Sequence, residues 1–146
     1  GVTNKKDFNE LDHVKLAENK NLIDFKQASK ISGSRFSVLK SDLAQMHRAL
    51  INFMLDEHTL KNGYKEYIVP ELVKERSLYG TGQLPKFKAD LFPTINDLWL
   101  IPTGEVSLTN LNRESILSSK VLPLRYTTLP IVLDLRLDLL VLTRKG

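Results

Sequence analysis

Two short segments combine residue types that can do chemistry. Gly80-Thr81-Gly82-Gln83-Leu84-Pro85-Lys86-Phe87 joins two glycines to a lysine. That is the composition of a loop that cradles phosphate. The Gly, four-residue spacer, Gly-Lys-Ser/Thr order of a P-loop is absent, so a surface turn with a solvated Lys86 fits as well. Pro102-Thr103-Gly104-Glu105 follows an apolar run. A hydroxyl and a carboxylate this close can converge on a small polar ligand. Glu105 would take an ammonium group, and Thr103 would donate or accept a hydrogen bond. The same residues also suit a helix start, with Thr103 as the cap and Glu105 against the N-terminal dipole. A third feature is a stripe rather than a site. Leu43, Met46, Leu50, Phe53 and Met54 recur at helical spacing. They form one apolar face, for a core or for a subunit contact.

Composition narrows the chemistry. The chain has 146 residues, 21 Lys+Arg against 17 Asp+Glu, a formal net charge of +4, and no cysteine. A thiol nucleophile, a disulfide scaffold and a Cys-ligated zinc site are therefore excluded. His13, His47 and His58 show no metal-ligand spacing, so no metal site is expected. With 42% hydrophobic residues, the chain is not a disordered one. No stretch approaches the roughly 20 apolar residues of a membrane span, and the first residues have no apolar signal region. The expectation is a protein of the cytoplasm without a membrane partner. Lys and Arg are scattered, so the mild positive charge alone does not establish nucleic-acid binding.

The elements that position these residues follow from pattern. The stretch to about Asn21 reads as a polar lead-in with one short helix. Leu22 to Ala28 reads as a helix start capped by Asp24, broken by Gly33, and Arg35 to Leu39 as a short strand. Ser41 or Asp42 caps the clearest helix, which Asn62-Gly63 ends. Tyr64 to Val69 reads as a strand closed by Pro70, and Glu71 to Tyr79 as a short helix. The segment 80–87 is a loop. Leu98 to Ile101 reads as a buried strand, Ser107 to Leu117 as a helix, and Leu122 to Tyr126 as extended. No repeat or low-complexity linker divides the chain, so residues 1–146 read as one domain or part of one.

The end of the chain has another character. Leu133, Leu135, Leu137 and Leu139 alternate with Asp134, Arg136 and Asp138, which is the period of a half-buried strand. Yet the run is rich in leucine and poor in β-branched residues, so composition and period disagree. A strand is the expectation.

Several segments together carry a family likeness. Ile31-Ser32-Gly33-Ser34-Arg35-Phe36, Ala49 to Met54, Tyr79 to Phe87 and Leu100 to Val106 resemble seryl-tRNA synthetase in order and spacing, and Leu108 to Leu111 and Leu122 to Tyr126 continue the likeness. It runs from about His13 to Thr128. The resemblance implies an α+β fold: part of a class II aminoacyl-tRNA synthetase catalytic domain, an antiparallel sheet flanked by helices, working as a homodimer. The 42–60 helix and the strand ending at Pro70 are similar to motif 1, the family's dimer interface. Leu43, Met46, Leu50, Phe53 and Pro70 are then interface residues. The implied reaction activates serine with ATP and Mg²⁺ and transfers it to tRNA-Ser. Thr103, Gly104 and Glu105 lie where the family has Thr-Ala-Glu, a segment lining the serine pocket. Gly104 departs from the usual alanine, and Ala17 stands where Leu-Gly-Glu is usual.

Other departures bear on activity. The N-terminal helical hairpin that grips tRNA and motif 3 with its ATP-binding arginine have no counterpart in this sequence. Motif 2, a Phe-Arg-Ser-Glu strand, is expected soon after Tyr126, and its arginine would stabilise charge in the transition state. The chain instead reads Leu129-Pro130-Ile131-Val132-Leu133-Asp134-Leu135. A shifted reading frame accounts for this. Leu129 to Asp138 can be encoded TTG CCT ATT GTT TTA GAT CTG AGG CTG GAT. Skipping the first two bases gives GCC TAT TGT TTT AGA TCT GAG GCT GGA, or Ala-Tyr-Cys-Phe-Arg-Ser-Glu-Ala-Gly, which looks like motif 2. The alternating tail, 129–146, would then be a product of the code. The expectation is a truncated, frame-shifted piece of the catalytic domain, with residues 13–128 family-like, no catalytic residue of its own and no activity alone. It would be cytoplasmic or come from an organellar parent. The alternatives are a non-catalytic module that dimerises through the motif 1 face and, least favoured, a small basic RNA-binding domain.

Overall fold

The computed structural model describes residues 10–34 and 36–131. The chain forms two compact units, Gly1–Leu50 and Ile51–Gly146.

In the first unit, local capping sets the elements. Asp12 accepts a 2.8 Å hydrogen bond from the Lys15 N–H at the start of helix α1, His13–Asn19. Strand β1, Ile23–Asp24, pairs antiparallel with β2, Val38–Leu39. Asp24 then caps helix α2, Phe25–Ser32, taking the Gln27 N–H at 2.9 Å. The side chain of Lys40 reaches both Asn21 Oδ1 at 2.6 Å and Asp24 Oδ2 at 3.3 Å. The cap at Asp24 and the break at Gly33 match the sequence reading. The strand expected over Arg35 to Leu39 shrinks to β2.

Helix α3, Ser41–Asp56, buries none of its residues and runs into a π-helical turn, Glu57–Lys61. Gly63, at φ +70°, supplies the left-handed turn just past the end. Among the described residues no helix is long and apolar enough to cross a membrane.

The second unit holds the core. Strand β3, Lys65–Glu66, pairs parallel with β6, Tyr126–Thr127. Strand β4, Leu72–Lys74, pairs antiparallel with β5, Leu98–Leu100. Helix α4, Glu75–Gly80, and helix α5, Gly104–Asn110, pack against each other. Val73, Leu78, Leu84, Leu91, Trp99, Ile101 and Val106 form one buried cluster. Removing a side chain as enclosed as Leu78 from such a cluster costs about 2–5 kcal/mol. The helix expected over Glu71 to Tyr79 is a strand followed by a helix, because Leu72 and Val73 reach the β5 ladder before the chain turns. The helix expected over Ser107 to Leu117 starts earlier, at Gly104, and ends at Asn110. The strand expected over Tyr64 to Val69 is only β3. The α+β expectation holds, with two antiparallel strand pairs and one parallel pair among the described residues. The alternating run 133–139 lies outside the described residues.

Candidate functional site

The site is built where β5 ends. Ile101 is fully buried, and its N–H donates to the Glu71 carbonyl at 2.9 Å, which fixes the strand end against β4. Pro102 is buried, and Thr103 is extended at φ −158°, ψ 149°. Helix α5 begins at the next residue. Thr103 Oγ1 accepts the Glu105 N–H at 3.4 Å, so the capping role holds. The site role is compatible with it, because capping occupies one lone pair of the hydroxyl oxygen and leaves its O–H free.

Thr103, Gly104 and Glu105 line a cavity of about 1040 Å³. Leu108, Thr109 and Asn112 of the α5 segment form a second wall. Tyr126, Thr127 and Thr128 of β6 and its continuation form a third, and Gln83 enters from the loop after α4. Tyr126 packs against Tyr67 in a tilted arrangement, with ring centroids 4.6 Å apart and planes at 54°. Burial and the neighbouring phenol push the Tyr67 hydroxyl above its ordinary 10.0. Glu105 is exposed and has no salt-bridge partner among the described residues.

That charge pattern selects an occupant. The described walls carry the Glu105 carboxylate and neither Lys nor Arg. A triphosphate would find no counter-charge there, so these residues do not fit ATP. Among the described residues no group of three or more His, Asp or Glu side chains converges to hold a metal ion. An ammonium group beside Glu105, with hydroxyl and amide groups around it, fits. In the loop 80–87, Lys86 lies over the Phe87 ring, 5.0 Å from its centroid.

The interface residues expected from the sequence are not among those that line this cavity. Leu43, Met46 and Leu50 belong to the first unit, Phe53 and Pro70 to the second. Met46, Leu50 and Phe53 are more than half exposed, Leu43 is half-buried, and Pro70 is exposed. Sequence reasoning missed two supports of the site. Ser107 Oγ donates to the Pro70 carbonyl at 2.6 Å. Asn110 Nδ2 donates to the carbonyls of Ser77 at 3.1 Å and Val106 at 2.8 Å, tying α5 to α4. A polar residue inside an apolar helical pattern was the available signal for both.

The described fold is that of part of a class II aminoacyl-tRNA synthetase catalytic domain. It superposes on seryl-tRNA synthetase from Pyrococcus horikoshii complexed with ATP with a TM-score of 0.74 and 35% identity, over 80% of this chain and 26% of that one. It superposes on the cytoplasmic serine-tRNA ligase of Naegleria fowleri in complex with AMP with a TM-score of 0.79 and 23% identity, over 86% and 30%. Within that class the chain is homologous to serine--tRNA ligases. It is 52% identical over 130 residues to that of Hahella chejuensis, covering 88% of this chain. It is 58% identical over 118 residues to that of Francisella philomiragia, covering 80%. The chain spans about 30% of the length of the curated relatives it matches. No protein-family profile matches it.

Proposed function

We propose that this chain carries the amino-acid pocket of a serine--tRNA ligase catalytic domain and does not complete the reaction by itself. The parent reaction would be ATP-dependent activation of serine and its transfer to tRNA-Ser. One observation supports the pocket most. The cavity at the end of β5 is walled by Thr103 and Glu105, and its described lining carries no cation. Glu105 would hold the serine ammonium through a charge-assisted hydrogen bond, worth about 1.5–3 kcal/mol. Thr103 would donate its free O–H to the serine hydroxyl oxygen, or accept from the ammonium through its remaining lone pair.

Inactivity of the chain alone rests on the segment after β6. ATP, with its Mg²⁺, needs cationic side chains that the described walls do not supply. The residues after Thr128 do not read as a Phe-Arg-Ser-Glu strand in this frame. We take residues 13–128 as the family-like part and 129–146 as a tail translated out of frame, in a cytoplasmic setting. A serine-dependent pyrophosphate exchange assay on the purified chain should give no exchange above background. Robust exchange would overturn this reading. The nucleotide sequence of the gene tests the tail, since codons that cannot yield motif 2 after a two-base shift would sink the frame argument.

A second reading has its own support. The α3 stripe is exposed at Met46, Leu50, Phe53 and Met54, and a module that dimerises through that face would need no catalysis.

A further inference from the structure

We infer that Gln83 is a further binding residue of the pocket, its side-chain carbonyl oxygen taking a hydrogen from the bound amino acid. The inference rests on the proposed serine pocket and adds a residue to it.

The backbone of Gln83 is held on both sides. Its N–H donates to the Leu78 carbonyl at 2.9 Å, and its own carbonyl accepts the Phe87 N–H at 2.9 Å. Gly82 just before it takes φ +75°, a turn that favours glycine. Leu84 just after it is anchored in the core, 4% exposed. The side chain therefore starts from a fixed point, and Gln83 lines the same cavity as Thr103 and Glu105.

The end of that side chain is out of balance. Gln83 Oε1 is buried and has no hydrogen-bond partner among the described residues. Buried polar atoms without partners are rare in folded proteins, and each calls for a cause. A carbonyl oxygen can only accept, so what it lacks is an N–H or O–H. Rotation of the terminal amide toward the cavity gives it one as soon as an occupant brings a donor. A small amino acid brings an ammonium group and, in serine, a hydroxyl. A phosphate or a second carboxylate brings none, and the oxygen would repel it. The Gly-rich loop thus serves the site through its glutamine, while its lysine lies on Phe87.

The test is a titration of the full chain with L-serine, followed by NMR and by equilibrium dialysis. Wild-type protein should bind, and the Gln83 side-chain NH₂ signals should shift on binding. Gln83→Leu should weaken binding about tenfold. Gln83→Glu, which keeps an acceptor oxygen in the same place, should retain it. The environment of Trp99, read by fluorescence, shows whether each variant keeps the core. Undiminished binding by Gln83→Leu would overturn the role of Gln83 and leave the pocket standing. Equal loss in Gln83→Leu and Gln83→Glu would overturn it too. No binding by the wild-type chain would overturn both the pocket and this residue's part in it.

Discussion

Ser107 Oγ donates a 2.6 Å hydrogen bond to the carbonyl oxygen of Pro70. The bond joins the helix that carries the pocket to the chain just ahead of β4, so α5 is positioned by a side chain as well as by its packing on α4. Ser107 is only 7% exposed, which shields the bond from water.

Ser107→Ala should therefore destabilise the chain by about 1–2 kcal/mol. A urea unfolding curve measures this as a lower midpoint at unchanged slope. An unchanged midpoint would show that the contact carries no net stability.

Gly104 is enclosed. A Cβ placed on it would stand 2.6 Å from Thr128 Cγ2 and 2.9 Å from Pro130 Cγ. The segment behind those atoms is also held by the Ile131 N–H, which donates to Glu71 Oε1 at 2.9 Å. Gly104→Ala should push residues 128–130 outward and break that bond. Hydrogen exchange at the Ile131 amide should speed up in the variant. Equal exchange would mean that the neighbours absorb a methyl without moving. The residue type that the family resemblance leads one to expect here is thus the one this local packing resists.

The first unit should respond to acid through its caps. The Gln27 N–H, and then Lys40, hold the Asp24 carboxyl below its ordinary 3.8. A carboxylate lowered in the folded state adds stability above its unfolded pKa, and that stability is lost as pH falls through the lower folded value. Protection of the Gln27 amide should be flat above about pH 5 and decline below the ordinary carboxylate range. In Asp24→Asn, which caps without titrating, that decline should disappear. A decline that survives in the variant would assign it to another group.

Much of this was legible from residue types alone. Asp24 as a cap, Gly63 as a helix end and Leu98 to Ile101 as a strand follow from local chemistry, and the structure shows the first two and a strand over Leu98–Leu100. Elements set by partners were not legible. Leu72 to Lys74 is a strand because Trp99 and its neighbours offer a ladder, and β3 pairs with β6, which lies far along the chain from it. Thr103 and Glu105 could be read as cap or pocket from spacing; the cavity shows that Thr103 serves as cap and wall together. Gln83 could not be found from sequence, since an amide lacking a partner is visible only once the surroundings are placed.

The apolar face of α3 predicts self-association. Phe53 is 62% exposed, Met46 55% and Leu50 52%, which is much apolar side chain for one helix to leave in water. Sedimentation over a range of concentrations should show a monomer–dimer equilibrium. Phe53→Asp should weaken it by at least about tenfold, the loss of a buried aromatic anchor. A strictly monomeric wild-type chain would remove the interface reading.

On the proposed function, serine binds in the cavity at the end of β5 through Thr103 and Glu105. A backbone amide NMR titration of the full chain with L-serine, repeated with Glu105→Gln, reads this binding at the residues themselves. Saturable shifts are expected at Thr103, Gly104, Glu105 and Val106, weakening about tenfold or more in the variant. Shifts absent from these residues, or unchanged in Glu105→Gln, would contradict it.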